Sequence, residues 1–220
     1  VISIVLKFKL MKKIIFQINV PNHIQTNKVT AYTFMSDMYD ISERNARRYA
    51  ERCGAEYYKL TNANDFKPAA GKHLDYQKLK AYDFVGYDSV IYFDSDYIIK
   101  DNAPDLFQLC GNKFSAVMDP GKSVPELAAN LGIPRERYFN AGFMYLTKEV
   151  LDKTRKFLPE YLEKEYEFQG QGILNRLFYD KGIDFYRLDS YEWNPVKKTF
   201  GRYADHYSGF KKKKWGEVTY

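Results

Sequence analysis

Hydrophobic positions along this chain fall into short unbroken runs separated by stretches with helical spacing, the pattern expected when strands and helices alternate in an α/β sheet. Residues 14–20 begin Ile-Ile-Phe and end at Asn19-Val20-Pro21-Asn22, which reads as a strand stopping in a loop. Over residues 41–53, Ala46, Tyr49, Ala50 and Cys53 share one face and predict a helix packed on a sheet. Asp40 is its expected N-cap, with Glu43 three residues on, and Gly54 its stop. A strand is expected over 56–60, a helix over 74–85, and a fully apolar strand over 90–93.

Beyond it, Asp101 to Asp105 reads as a turn before a short segment ending near Leu109, and 114–118 as a strand. Residues 123–132 predict a short capped helix, and 143–146 another strand. Val150, Leu151, Thr154, Phe157, Leu158, Tyr161 and Leu162 recur at helical spacing, so one helix over 148–166 is expected, kinked at Pro159. A helix over 171–180 and a strand over 185–188 follow, and the remainder reads as loop with a basic tail. No repeat, low-complexity segment or linker divides the chain, and 220 residues suit one α/β domain.

Composition narrows the classes. The net charge of +6 suits nucleic acid, an acidic surface or a phosphorylated small molecule, but Lys211 to Lys214 supply much of it in one run, so no polyanion-binding stripe is required. Cys53 and Cys110 have no metal-ligand spacing, which argues against a disulfide framework or structural zinc and for a reducing, cytoplasmic setting. Residues 1–10 are apolar but interrupted by lysines, with no small-residue cleavage site after them. They are expected to be an extension outside a core of 11–220, without a transmembrane segment.

The strand over 90–93 stops in Asp94-Ser95-Asp96. Carboxylates at the carboxyl end of such a strand lie on the edge where open α/β sheets bind ligands, and they offer hard oxygen donors to Mg²⁺ or Mn²⁺ carrying a phosphorylated substrate. A polar turn is the bland alternative. Companions occur downstream. Asn140, Ala141 and Gly142 precede a strand where backbone can approach a sugar closely, or simply form a tight turn. His206-Tyr207-Ser208-Gly209 precedes the lysine run and Trp215, offering an imidazole, a flexible backbone point and cations for phosphate.

Together these segments resemble the GT-A glycosyltransferases, most closely glycosyltransferase family 8, the glycogenin-like and bacterial galactosyltransferase group, over about residues 74–215. The resemblance implies a GT-A nucleotide-diphospho-sugar transferase fold: a mostly parallel sheet flanked by helices. It assigns Asp94 and Asp96 to the metal, with Ser95 between them beside the donor, and makes His206 the third metal ligand. Lys78 stands where the family keeps a donor-contacting lysine, and Asn140-Ala141-Gly142 looks like its Asn-Ser-Gly sugar-binding turn. Gly209 with Lys212 or Lys213 corresponds to the diphosphate contacts, and Trp215 resembles the end of the Lys-Pro-Trp signature. Asp94, Asp96 and Gln171 are the implied catalytic set, and Asn19 and Val20 line the nucleotide base by topology. The implied reaction moves a hexose or deoxyhexose from a UDP-sugar to a glycan or other hydroxyl acceptor, with retention and with Mn²⁺ or Mg²⁺.

The chain also departs from the pattern. Where the family has Asp-Gln at a helix start, this chain has Gly170-Gln171-Gly172, so an expected carboxylate near the anomeric carbon is missing, with Gln169 a partial substitute. The terminal proline is absent, and one extra residue separates His206 from Trp215. Residues 45–54, Asn-Ala-Arg-Arg-Tyr-Ala-Glu-Arg-Cys-Gly, are more similar to a segment of family 34. Other classes fit less well. A haloacid dehalogenase-type phosphatase opens with its Asp-x-Asp strand, whereas two βα units precede this one; a nucleotidyltransferase carries a Gly-rich signature that Asn19 to His23 lacks. A basic nucleic-acid binder would need exposed aromatics, but the tyrosines lie inside strand and helix patterns. The acceptor side is expected from residues 120–137 and the tail, and Trp193-Asn194 belongs either there or in the core.

Overall fold

The computed structural model describes residues 11–20, 29–119, 121–166, 169–193 and 200–207, with backbone alone over 29–36. Eight strands are described: β1 (Lys13–Ile18), β2 (Glu56–Leu60), β3 (Ser89–Phe93), β4 (Tyr97–Ile99), β5 (Ser115–Met118), β6 (Phe139–Thr147), β7 (Tyr186–Leu188) and β8 (Ala204–His206). Six form one sheet in the order β2-β1-β3-β6-β5-β7. β1 runs parallel to β2 and β3, and β5 parallel to β7. β6 alone runs against its neighbours, so the sheet is mostly parallel, as expected. The carboxyl ends of β1 and β3 emerge side by side, with Gln17 opposite Phe93.

Alternation sorts the apolar runs onto two buried faces. Ile14, Phe16, Val90, Tyr92, Met144 and Leu146 face one way. They pack beneath α4 (Lys148–Arg155), α5 (Leu158–Leu162) and α6 (Gln169–Asp180). Ile15, Ile91, Phe93, Phe143 and Tyr145 face the other way, against α1 (Val29–Cys53) and α2 (Leu106–Cys110). Trp193 of α7 (Ser190–Trp193) joins this second face, stacked on Phe143 at 5.4 Å, and is therefore core.

The departures from the sequence pattern have local causes. α1 starts well before residue 41, so Asp40 lies inside the helix and is not its cap. The upstream turns hold because Met38 buries against Ile98 and Tyr207, a contact no local pattern reveals. Gly54 does end the helix, at φ 63°. The stretch Leu74–Asp83 winds as a 3₁₀ helix. Three residues per turn align Tyr76, Leu79 and Tyr82 toward the core, and the same winding sets Asp75 above Lys78. Ser123 makes no capping hydrogen bond to α3 (Val124–Asn130). Pro159 divides the expected long helix into α4 and α5, ending at Leu162. Residues after 188, read as loop, contain α7 and β8.

Candidate functional site

Four elements meet at the carboxyl edge of β1 and β3. Asp94 directly follows β3, and its N–H donates to the Gly142 carbonyl at 2.8 Å. Its carbonyl accepts from Gln17 Nε2 at 3.4 Å, and the same amide nitrogen donates to Ser42 Oγ at 2.9 Å. The Tyr57 hydroxyl donates to Gln17 Oε1 at 2.9 Å, and Ser42 Oγ donates to the Tyr97 carbonyl. A buried polar network thus anchors both ends of the loop bearing the paired aspartates, which rigidifies their backbone.

His206 reaches the aspartates through a strand absent from the sequence pattern. β8 pairs antiparallel with β4, setting His206 opposite Tyr97, and Tyr207 N–H donates to the Asp96 carbonyl at 2.9 Å. The imidazole stacks on Tyr97 with ring centres 4.3 Å apart, and Nε2 lies 3.4 Å from Asp96 Oδ1. Asp94, Asp96 and His206 each direct one ligand atom into a region where all three lie within 4.8 Å of one another. Two carboxylates and an imidazole suit a divalent ion that takes oxygen and nitrogen donors.

The charge balance fits the same ion. Burial and the nearby Asp96 carboxylate push the Asp94 carboxyl up against the pull of Lys78. Buried Lys78 is itself drawn down by desolvation, but Asp75 and Asp94 outweigh this and raise its pKa. Its Nζ sits 2.5 Å from Asp75 Oδ1 and 4.0 Å from Asp94 Oδ1. The Tyr92 hydroxyl donates to Asp94 Oδ1 at 2.5 Å. Ile18, Asp75, Tyr92, Asp94, Ser95 and Asp96 line a cleft at this edge.

Asn140, Ala141 and Gly142 lie inside β6, and do not precede a strand as expected. Val117 pairs with Asn140 while Ala116 pairs with Met144, so residues 141–143 leave the β5 ladder as a three-residue bulge. Asn140 Oδ1 accepts from Gly142 N–H at 2.9 Å, closing the turn locally. A Cβ on Gly142 would stand 2.4 Å from Asp94 Oδ2, so glycine is required there by close approach. Gln171, in the first turn of α6, accepts from Ala141 N–H at 2.9 Å. Its Nε2 donates to the Tyr138 hydroxyl at 2.9 Å and to Asp119 Oδ2 at 3.2 Å, and Asn140 Nδ2 meets that same oxygen at 3.3 Å.

Asp94, Ser95, Asp96, Lys78 and His206 therefore converge, with the 140–142 bulge and Gln171 beside them. Asn19 and Val20 follow β1 on the same edge, Asn19 N–H donating to the Leu60 carbonyl at 2.8 Å. Gly209, Lys212, Lys213 and Trp215 lie outside the described residues, as do residues 1–10 and Asn194. The sequence pattern did not single out Gln17, Ser42, Asp75 or Asp119. Only Asp119 carried a signal, an acid followed by Pro120-Gly121 just past a strand. Gln17 and Ser42 act through partners distant in sequence, as Asp75 does through Gln171, although its pairing with Lys78 is only three residues away.

Comparison with known proteins identifies the family and the fold. The family model of glycosyl transferase family 8 matches residues 3–216. Galactinol synthase 2 of Arabidopsis thaliana is 34% identical over 49% of this chain and 38% of its own length. Galactinol synthase 1 of Solanum lycopersicum is 26% identical over 60% of this chain and 43% of its own. The chain thus spans less than half the length of these curated relatives. Among solved structures, a glycosyltransferase involved in glycosylation of the major capsid of PBCV-1 superposes with TM-score 0.58 at 14% identity, over 94% of this chain and 97% of that one. The bifunctional glycosyltransferase WbbM gives TM-score 0.60 at 17% identity, over 92% of this chain and 46% of that one. At such identities these two speak for the fold, which is the GT-A glycosyltransferase fold. With its matched segment spanning nearly the whole sequence, the chain belongs to glycosyltransferase family 8.

Proposed function

We propose that this chain transfers a hexose or deoxyhexose, with retention, from a UDP-sugar to a hydroxyl of a glycan or other acceptor, in a reaction that depends on Mn²⁺ or Mg²⁺. The observation that carries this reading is the convergence of Asp94, Asp96 and His206 at the ligand-binding edge of a family 8 chain. An ion held by these three residues would supply Lewis-acid compensation for the charge that develops on the departing diphosphate.

The protein's own groups do the rest. Lys78, buried and held cationic by two carboxylates, meets donor oxygens with a charge that needs no further desolvation. Asn140, Ala141 and Gly142 present backbone and one amide to the sugar. Gln171 braces that bulge and orients Asp119 and Tyr138 beneath it. Asn19 and Val20 border the base, Ser95 the donor, and Gly209 with Lys212 or Lys213 the diphosphate. The buried free thiols of Cys53 and Cys110 suit a reducing, cytoplasmic compartment. Among the described residues no helix is long and apolar enough to cross a membrane. Membership of family 8 favours this reading over the phosphatase, the nucleotidyltransferase and the basic nucleic-acid binder.

The test is UDP binding by calorimetry with and without MnCl₂, followed by hydrolysis of a UDP-sugar panel beginning with UDP-galactose. Binding should require the ion, and Asp96→Ala should abolish it while the far-UV circular dichroism stays native. His206→Ala should weaken the ion dependence less completely, because water can fill one coordination position. Full activity in Asp96→Ala would remove the metal site.

A further inference from the structure

Asp75 stands in contact with Gly170, the position where the family pattern sets an acid and this chain has none. A Cβ on Gly170 would lie 2.4 Å from the Asp75 carbonyl oxygen and 3.0 Å from its Oδ2. The two positions therefore compete for one volume, and an aspartate at 170 cannot coexist with Asp75 where it lies. Asp75 Oδ2 accepts from Gln171 N–H at 3.2 Å, where the helix dipole favours an anion. Oδ1 pairs with Lys78, and the side chain remains about one quarter exposed on the same cleft that Asp94 and Asp96 line.

We infer that Asp75 is the relocated carboxylate of this active site: it reaches the donor sugar from the 3₁₀ segment in place of the acid missing at residue 170. Resting on the sugar-transfer reading, this makes Asp75 a catalytic residue that accepts a hydrogen bond from a donor-sugar hydroxyl, while its second oxygen keeps Lys78 aimed at Asp94. The 3₁₀ winding is what makes the relocation work, since a spacing of three eclipses Asp75 and Lys78. Gly170 leaves room for both the main chain of Asp75, which a Cβ would meet first, and its carboxylate.

Asp75→Asn preserves shape and removes the charge, and Asp75→Glu keeps the charge and shifts it by one methylene. Each is measured for UDP affinity with MnCl₂, for kcat of UDP-galactose and UDP-glucose hydrolysis, and for Tm. Asp75→Asn should lose about ten- to hundredfold in kcat, the range for one charge-assisted hydrogen bond, while UDP affinity stays within about twofold. Asp75→Glu should recover part of that kcat. Gly170→Ala, whose Cβ would press on the main chain of Asp75, should lose kcat at least as much as Asp75→Asn. Unchanged kcat in Asp75→Asn overturns the inference, and so does an equal fall in UDP affinity, which would make Asp75 only a brace for Lys78. Failure of the wild-type protein to bind UDP with Mn²⁺ would instead overturn the sugar-transfer reading beneath it.

Discussion

Asp94 couples function and stability through its raised pKa. A carboxyl that holds its proton more tightly folded than unfolded contributes stability below the ordinary carboxylate range, and that stability is lost as pH rises through the raised value. At neutral pH the ion-free protein therefore carries a penalty at this position. Asp94→Asn should raise the Tm of the metal-free protein at pH 7, with the gain shrinking toward pH 4, and should abolish the further rise on adding MnCl₂. Calorimetric scans across that range check both. Gly142 gives a sharper steric test. Gly142→Ala should fold but push Asp94 off its position, lowering Mn²⁺-dependent UDP affinity by about tenfold or more, the equivalent of about 1.4 kcal/mol. At this scale Asp94 and Asp96 stand out because paired acids are uncommon at the end of an apolar strand, whereas Asn140, Gly142 and His206 stand out only as companions in a pattern that resembles family 8. Gln17 and Ser42 do not, because an isolated polar residue shows nothing of its distant partner, and Asp75 reads as an ordinary Asp–Lys pair three residues apart until its contact with Gln171 is seen.

At the scale of elements, apolar runs mark β1, β3 and β5 within a residue or two, β2 matches its expected bounds although it carries Glu56 and Lys59, and the break at Pro159 follows from its missing N–H. The upstream half of α1 and the β4–β8 ribbon escaped notice. β8 is three residues long, Ala-Asp-His, and only pairing with β4 gives it a strand's geometry. β6 extends upstream of its expected 143–146 because Asn140-Ala141-Gly142 breaks the apolar run that marks a buried strand. Its junction with α6 rests on Asn175, buried, whose Oδ1 accepts from Phe139 N–H at 2.8 Å and whose Nδ2 donates to the Phe139 and Gln171 carbonyls at 3.0 Å each. Asn175→Ala leaves buried backbone groups of β6 unpaired, and each costs about 1–3 kcal/mol. Urea denaturation should show a loss of about 2–4 kcal/mol together with weaker donor turnover, since Gln171 lies one turn away.

Across the whole molecule, a sheet buried on both faces supplies the rigidity that a site at its edge needs, and the candidate site gathers residues from Gln17 to His206. No local segment contains it. Stabilisation by ligand should therefore be global, with Mn²⁺ and UDP together raising the unfolding midpoint of the entire transition. The central claim is that a divalent ion gripped by Asp94, Asp96 and His206 holds the diphosphate of a nucleotide sugar. The most direct measurement is anomalous diffraction from crystals grown with MnCl₂ and UDP. One strong manganese peak is expected among these three side chains, beside the diphosphate; a peak elsewhere, or UDP bound with no ion among the three residues, would refute the proposed metal site.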